Sequence, residues 1–170
     1  MISMELRRDI LRSRKVVTVD YSLFAPVLET GYYSSLDLAN RETMHFAVIK
    51  TQYELQAASE YLHPFIVNWR VNHPGRKPTM VILAVNSCIS GFVHSSADTA
   101  VEPAQILCRR VLRNMSLSAR KAGLESFGML YPPEHLADLG CGSDMYAALS
   151  LPRTYVPCGV FGISESRSDV

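Results

Sequence analysis

The sequence predicts an α+β domain in which helices cover a central sheet. Three observations carry this. Residues 79–86 (TMVILAVN) form a continuous apolar run of strand length, the pattern of a central strand covered on both faces. Residues 102–121 (EPAQILCRRVLRNMSLSARK) place apolar side chains at helical spacing, with most of the cations off that face. Helices and strands alternate along the chain without a regular βαβ repeat. The 170 residues suit one domain, and no linker, repeat or low-complexity tract divides them.

Residues 4–13 (MELRRDILRS) read as a short helix with Leu6, Ile10 and Leu11 inward. Residues 15–19 (KVVTV) are β-branched and strand-like. A second helix is expected over 23–30, with Gly31 as its stop, and irregular chain then leads to a strand at 45–50 (HFAVIK). Leu55, Ala58, Leu62, Ile66 and Trp69 recur at spacings of three and four, so 52–70 is helical. Pro64 should kink that helix or split it. Residues 72–78 (NHPGRKP) form a loop, the strand 79–86 follows, and 87–98 form a second loop. Asp98 or Thr99 can cap the long helix. Its inner face is Leu107, Val111, Met115, Ser118 and Ala122, and Gly123 supplies a left-handed stop. A strand or loop at 126–130, a short helix near 133–139 and a last strand at 156–163 complete the chain.

Composition excludes several function classes. With 17 basic and 16 acidic side chains the net charge is +1, without the basic excess of a nucleic-acid-binding protein. No apolar run approaches the roughly 18 residues of a membrane span, and the charged start has no signal-peptide core, so the expected location is the cytoplasm. The 4 cysteines, Cys88, Cys108, Cys141 and Cys158, are scattered and read as inert thiols, not a disulfide framework. His45, His63, His73, His94 and His135 show no metal-ligand spacing, so no metal is expected. Residues 138–143 (DLGCGS) look like a methyltransferase glycine turn, but no strand precedes them and too little chain follows. A turn after a short helix fits better. No P-loop, GxGxxG, catalytic triad or acid–base pair stands out, so no catalytic residue is named.

A resemblance adds to this reading. Ala104, Leu107, Val111, Leu112, Ser118 and Ala119, followed by Ala122-Gly123-Leu124-Glu125-Ser126, are similar to the long core helix of nitroreductase-family flavoproteins and the turn after it. Leu149-Ser150-Leu151-Pro152, Tyr155, Pro157 and Gly162 match that family's "L-G-L-P-x-x-Y-x-P-V" segment and the glycine beyond it, in order. In the N-terminal half, the family's cationic "R-R-S-x-R" is met at Arg14, Lys15, Val16 and Thr18, which keep two basic residues but neither the hydroxyl nor the last arginine. Of its "P-S-x-x-N-x-Q-P-W" only Asn40 recurs.

The resemblance implies a mainly antiparallel sheet and an FMN site built between two subunits of a homodimer. It implies an oxidoreductase passing electrons from NAD(P)H to a small organic acceptor. Arg14 and Lys15 would hold the FMN phosphate, though both also sit at a helix end where cations suit the dipole. Asn40 would bond the flavin ring, and Arg167 would add a phosphate contact after the last strand. Leu130 and Tyr131 occupy the flavin-facing turn, where Tyr131 either stacks on a ring or blocks it. The eroded N-terminal motifs leave room for an alternative: a non-catalytic subunit of the same fold, acting in binding or assembly.

Overall fold

The strand read from 79–86 lies second in a sheet of four, with each of its residues up to Val85 buried. The structure is a computed structural model, and it describes residues 3–36, 42–86, 97–131 and 142–165. Its elements are α1 (Met4–Ser13), α2 (Tyr21–Ser35), β1 (Met44–Val48), α3 (Gln52–Ala57), α4 (Ser59–Asn72) and β2 (Thr79–Asn86). There follow α5 (Ala97–Lys121), β3 (Leu124–Leu130), α6 (Gly142–Ala148) and β4 (Tyr155–Glu165). The strand order is β1-β2-β4-β3, antiparallel at every pair.

The pleat sorts the core into two layers. Val81, Leu83 and Val85 of β2 face α2 and α5, where they join Phe24, Val27, Cys108, Val111 and Met115. Met80 and Ile82 face the other way, into a layer with Leu62, Phe65 and Trp69 of α4 and Met145 of α6. β4 carries a bulge: Leu83 pairs with Gly159 and Ala84 with Pro157, leaving Cys158 as the extra residue. That explains a proline inside an inner strand, because the ladder is already broken there.

Several expectations need correction. α1 has the predicted bounds and is capped by the Ser3 side chain, but Leu6 is 50% and Ile10 47% exposed, so neither is inward in this chain. Residues 15–19 make no strand. Lys15 forms one bridge to Thr51, and the Thr18 N–H and hydroxyl turn to the Thr79 hydroxyl (2.8 Å) and the Lys77 carbonyl (3.0 Å). α2 runs through Gly31, where a Cβ would lie 2.8 Å from Met115 Sδ. That glycine lets α2 approach α5; it does not end a helix.

The helical stretch from 52 divides at Ala58, not at Pro64. Pro64 sits inside α4, where the next N–H, that of Phe65, donates to the buried Tyr131 hydroxyl at 3.0 Å. α5 begins before Asp98, so neither Asp98 nor Thr99 is its cap. Its buried stripe is Cys108, Val111, Leu112, Met115 and Ala119, with Leu107, Ser118 and Ala122 half-buried. Gly123 is left-handed as expected, at φ 75°. The stretch at 126–130 is a strand, and α6 was not foreseen. The helix expected near 133–139 and the start of the 138–143 turn lie outside the described residues.

Candidate functional site

The connector from Arg14 to Thr18 is pinned on both sides. Arg14 caps α1, its N–H bonded to Ile10 O at 3.2 Å, and its carbonyl accepts from Gln52 N–H at 2.9 Å. Val16 N–H donates to Lys50 O at 3.0 Å. Thr18 closes the far end on Lys77 and Thr79. This short stretch without strand structure is therefore held by main-chain bonds to the β1–α3 turn and by bonds through the Thr18 and Thr79 hydroxyls at the start of β2.

A second stretch, from the end of α4 to β2, is held as firmly. Trp69 Nε1 donates to Arg76 O at 2.8 Å. The Arg76 guanidinium pairs with the Glu125 carboxylate, which also meets His73 Nδ1 at 3.1 Å. Between the two stretches lies a cavity of about 690 Å³. Its apolar floor is Val16, Ile49, Leu55, Ile66, Trp69 and Met80. Its cations are Arg14, Lys15, Arg70, Arg76 and Lys77, and no carboxylate lines it. Only Arg76 among these cations has an ion pair among the described residues.

Such a cavity suits an apolar group carrying an anion. Its volume lies within the roughly 300–1,000 Å³ usual for small-molecule sites. Arg76 is already paired with Glu125, but an entering phosphate would meet Arg14, Lys15, Arg70 and Lys77 without displacing a carboxylate. Sequence reasoning found Arg14 and Lys15 but missed Arg70, Trp69 and Lys77. The available signal was the basic pair in "NHPGRKP", which reads as an ordinary solvated loop until α4 is placed beside it.

The other expected positions do not gather there. Leu130 closes β3 opposite Gly159 and packs against the α2–α5 layer. Tyr131 is 2% exposed, its ring centroid 4.5 Å from that of Tyr61 and its N–H bonded to Cys158 O at 2.8 Å. Burial pushes its hydroxyl up to about 12, partly offset by the Phe65 N–H. This side chain serves the core and does not line the cavity. Asn40 and Arg167 lie outside the described residues. Cys108 and Cys158 are buried, and the Cys158 thiol is raised well above its ordinary value by its bond with Cys108 and by burial. Thiols held protonated in this way are poor nucleophiles.

No protein-family model matches the chain, and no curated protein matches it in sequence. Solved structures do. A nitroreductase from Desulfitobacterium hafniense, determined with bound FMN, superposes with a TM-score of 0.63 at 15% identity, covering 100% of this chain and 93% of that one. A nitroreductase from Bacteroides fragilis, also with bound FMN, gives 0.59 at 15% identity over 99% and 91%. A nitroreductase family protein from Streptococcus pneumoniae gives 0.60 at 12% identity over 98% and 92%. The chain has the nitroreductase fold. Within that fold the Arg14–Thr18 connector and the α4–β2 stretch frame the candidate site. Among the described residues no helix of this nitroreductase fold is long and apolar enough to cross a membrane.

Proposed function

We propose that this chain is an FMN-dependent oxidoreductase of the nitroreductase type, a single domain over residues 1–170 that works as a cytoplasmic homodimer and passes electrons from NAD(P)H to a small organic acceptor. The observation that carries this is the cavity behind Arg14 and Lys15, cationic at its mouth, apolar at its floor and free of carboxylates. Bound FMN would accept a hydride from the donor and deliver electrons to the acceptor. The chain's own residues bind and orient. Arg14 and Lys15 hold the phosphate, with Arg167 as a further cation, and Asn40 bonds the ring. The indole and aliphatic floor excludes water. Among the described residues the cavity lining contains no Asp, Glu or His.

Flavin titration tests this. We expect added FMN to lose fluorescence saturably on binding, and Arg14→Ala/Lys15→Ala to weaken it. Two charge-assisted contacts at about 1.5 kcal/mol each, the lower end for solvent-exposed groups, correspond to roughly a hundredfold. Absence of saturable quenching at high micromolar FMN would reject the enzyme. The alternative is then a non-catalytic nitroreductase-fold subunit. One observation favours it: the Tyr131 ring and N–H, at the end of the turn expected to face the flavin, already serve the core.

A further inference from the structure

The outer face of α5 shares no residue with the cavity assigned to the flavin. Two shallow hollows of about 390 and 380 Å³ run along it and meet at Arg113 and Leu117. The first is lined by α5 alone, and the second reaches the start of β3 and His73 after α4. Ile106, Arg109, Arg113, Leu117 and Arg120 recur at spacings of three and four, so they form one stripe on the helix. All of them are exposed, Ile106 at 59% and Leu117 at 47%. From Pro103 to Lys121 the helix has no acidic residue. Arg109, Arg113 and Arg120 have no ion pair among the described residues, while Arg110 beside them donates to Ser34 O at 3.2 Å. The carboxylate at the second hollow, Glu125, is taken up by Arg76 and His73. The stripe is therefore a row of unmatched guanidinium groups with an apolar side chain near each end.

We propose that this face docks an acidic amphipathic segment of a partner protein, its carboxylates on the arginines and its apolar residues on Ile106 and Leu117. Every cation of the stripe is arginine, whose planar fork grips a carboxylate through two parallel bonds. At about 1.5 Å per residue the stripe is about 21 Å long, room for about four turns of a partner helix. Other occupants fit less well. A nucleic-acid backbone gives Ile106 and Leu117 no apolar partner, and the chain lacks the basic excess of such binders. The stripe has neither lysine nor the aromatic side chains that seat a helix in a bilayer surface. A second copy related by a two-fold axis would set arginine against arginine.

Fluorescence anisotropy on the purified full chain tests this, needing neither flavin nor turnover. The probe is a labelled amphipathic peptide of about four helical turns, with leucine on one side and glutamate flanking it. We expect saturable binding at physiological ionic strength. The same peptide with lysine in place of glutamate should bind at least about tenfold more weakly, a difference of about 1.4 kcal/mol. Arg109→Gln/Arg113→Gln/Arg120→Gln should weaken the acidic peptide by at least as much. Ile106→Ala/Leu117→Ala should weaken it too, which counter-charge alone would not do. All these side chains are exposed, so the helical circular dichroism should be unchanged. The lysine comparison uses the native chain and stands even if a variant misfolds. No saturable binding at high micromolar peptide, equal binding of the two peptides, or full affinity in the glutamine variant overturns the proposal. Tighter binding of an oligothymidylate or of phosphatidylserine vesicles, lost in that same variant, overturns it in favour of that ligand. A lower light-scattering mass for the glutamine variant than for the native chain overturns it in favour of a second copy.

Discussion

Tyr131 shows how a side chain expected at the site can be taken up by the fold. Its hydroxyl accepts the Phe65 N–H just after Pro64, and its ring packs on Tyr61. Tyr131→Phe would keep the packing and leave that buried N–H without its acceptor. Leaving a buried donor unmatched costs about 1–3 kcal/mol. We expect urea denaturation to report a loss of that size with an unchanged slope, and a variant as stable as the native chain would show that α4 meets this N–H unaided. The residue scale was the least legible in the sequence. Arg14 and Lys15 were named because the resemblance marks their positions, and the structure places both on the cavity. Arg70 and Lys77 were not, since their meaning comes from a cavity assembled by residues far apart in the chain. Nor could residue type separate a tyrosine that stacks on a ligand from one that closes a core.

Elements were read more faithfully, and the errors share a cause. A continuous apolar run located β2, and apolar patterning located α5 and β4, because each buries a long run of side chains. It failed where tertiary contact overrides local preference. Gly31 was read as a helix stop, but its bare Cα admits Met115 and Phe46. Residues 15–19 have strand composition, yet the chain there bonds to a turn and to side chains. Gly162 in β4 is a third case. A Cβ there would stand 2.5 Å from Phe65 Cζ and 3.3 Å from Pro78 Cβ. The Phe65 ring has little room to retreat, since it is fully buried against Trp69 and Phe127. Gly162→Ala should therefore destabilise by about 1–3 kcal/mol, despite the usual gain of about 0.5–1 kcal/mol for replacing glycine in a strand. Combining it with Phe65→Leu should cost less than the two changes summed, because the smaller side chain relieves the clash. Additive losses in the double-mutant cycle would mean that the glycine is there for another reason.

At the scale of the whole molecule, α1 is the element this chain alone does not explain. It is capped and well formed, yet it buries no residue, and Met4 is 73% exposed beside the half-exposed Leu6 and Ile10. Leu6 and Ile10 are one helical turn apart and share a face. Among the described residues nothing buries that face, and the proposed homodimer would cover it. Leu6→Glu/Ile10→Glu should then shift light-scattering mass from dimer to monomer. A two-fold contact counts each change twice. Four half-buried side chains at about 0.8 kcal/mol apiece give a rise of at least roughly a hundredfold in the dissociation constant. The helical circular dichroism should persist, since both positions are open in the single copy. A native chain that is monomeric at micromolar concentration would remove the dimer, and an unchanged dimer in the variant would place the interface elsewhere. The same helix ends at Ser13 and is capped by Arg14, with Lys15 next to it. In the proposed homodimer, subunit contact and the proposed phosphate site would share one element, so a ligand that favours the dimer would be favoured by it in return. We expect the Leu6/Ile10 variant to lose FMN affinity although neither residue lines the cavity. Saturating FMN should in turn restore part of its dimer.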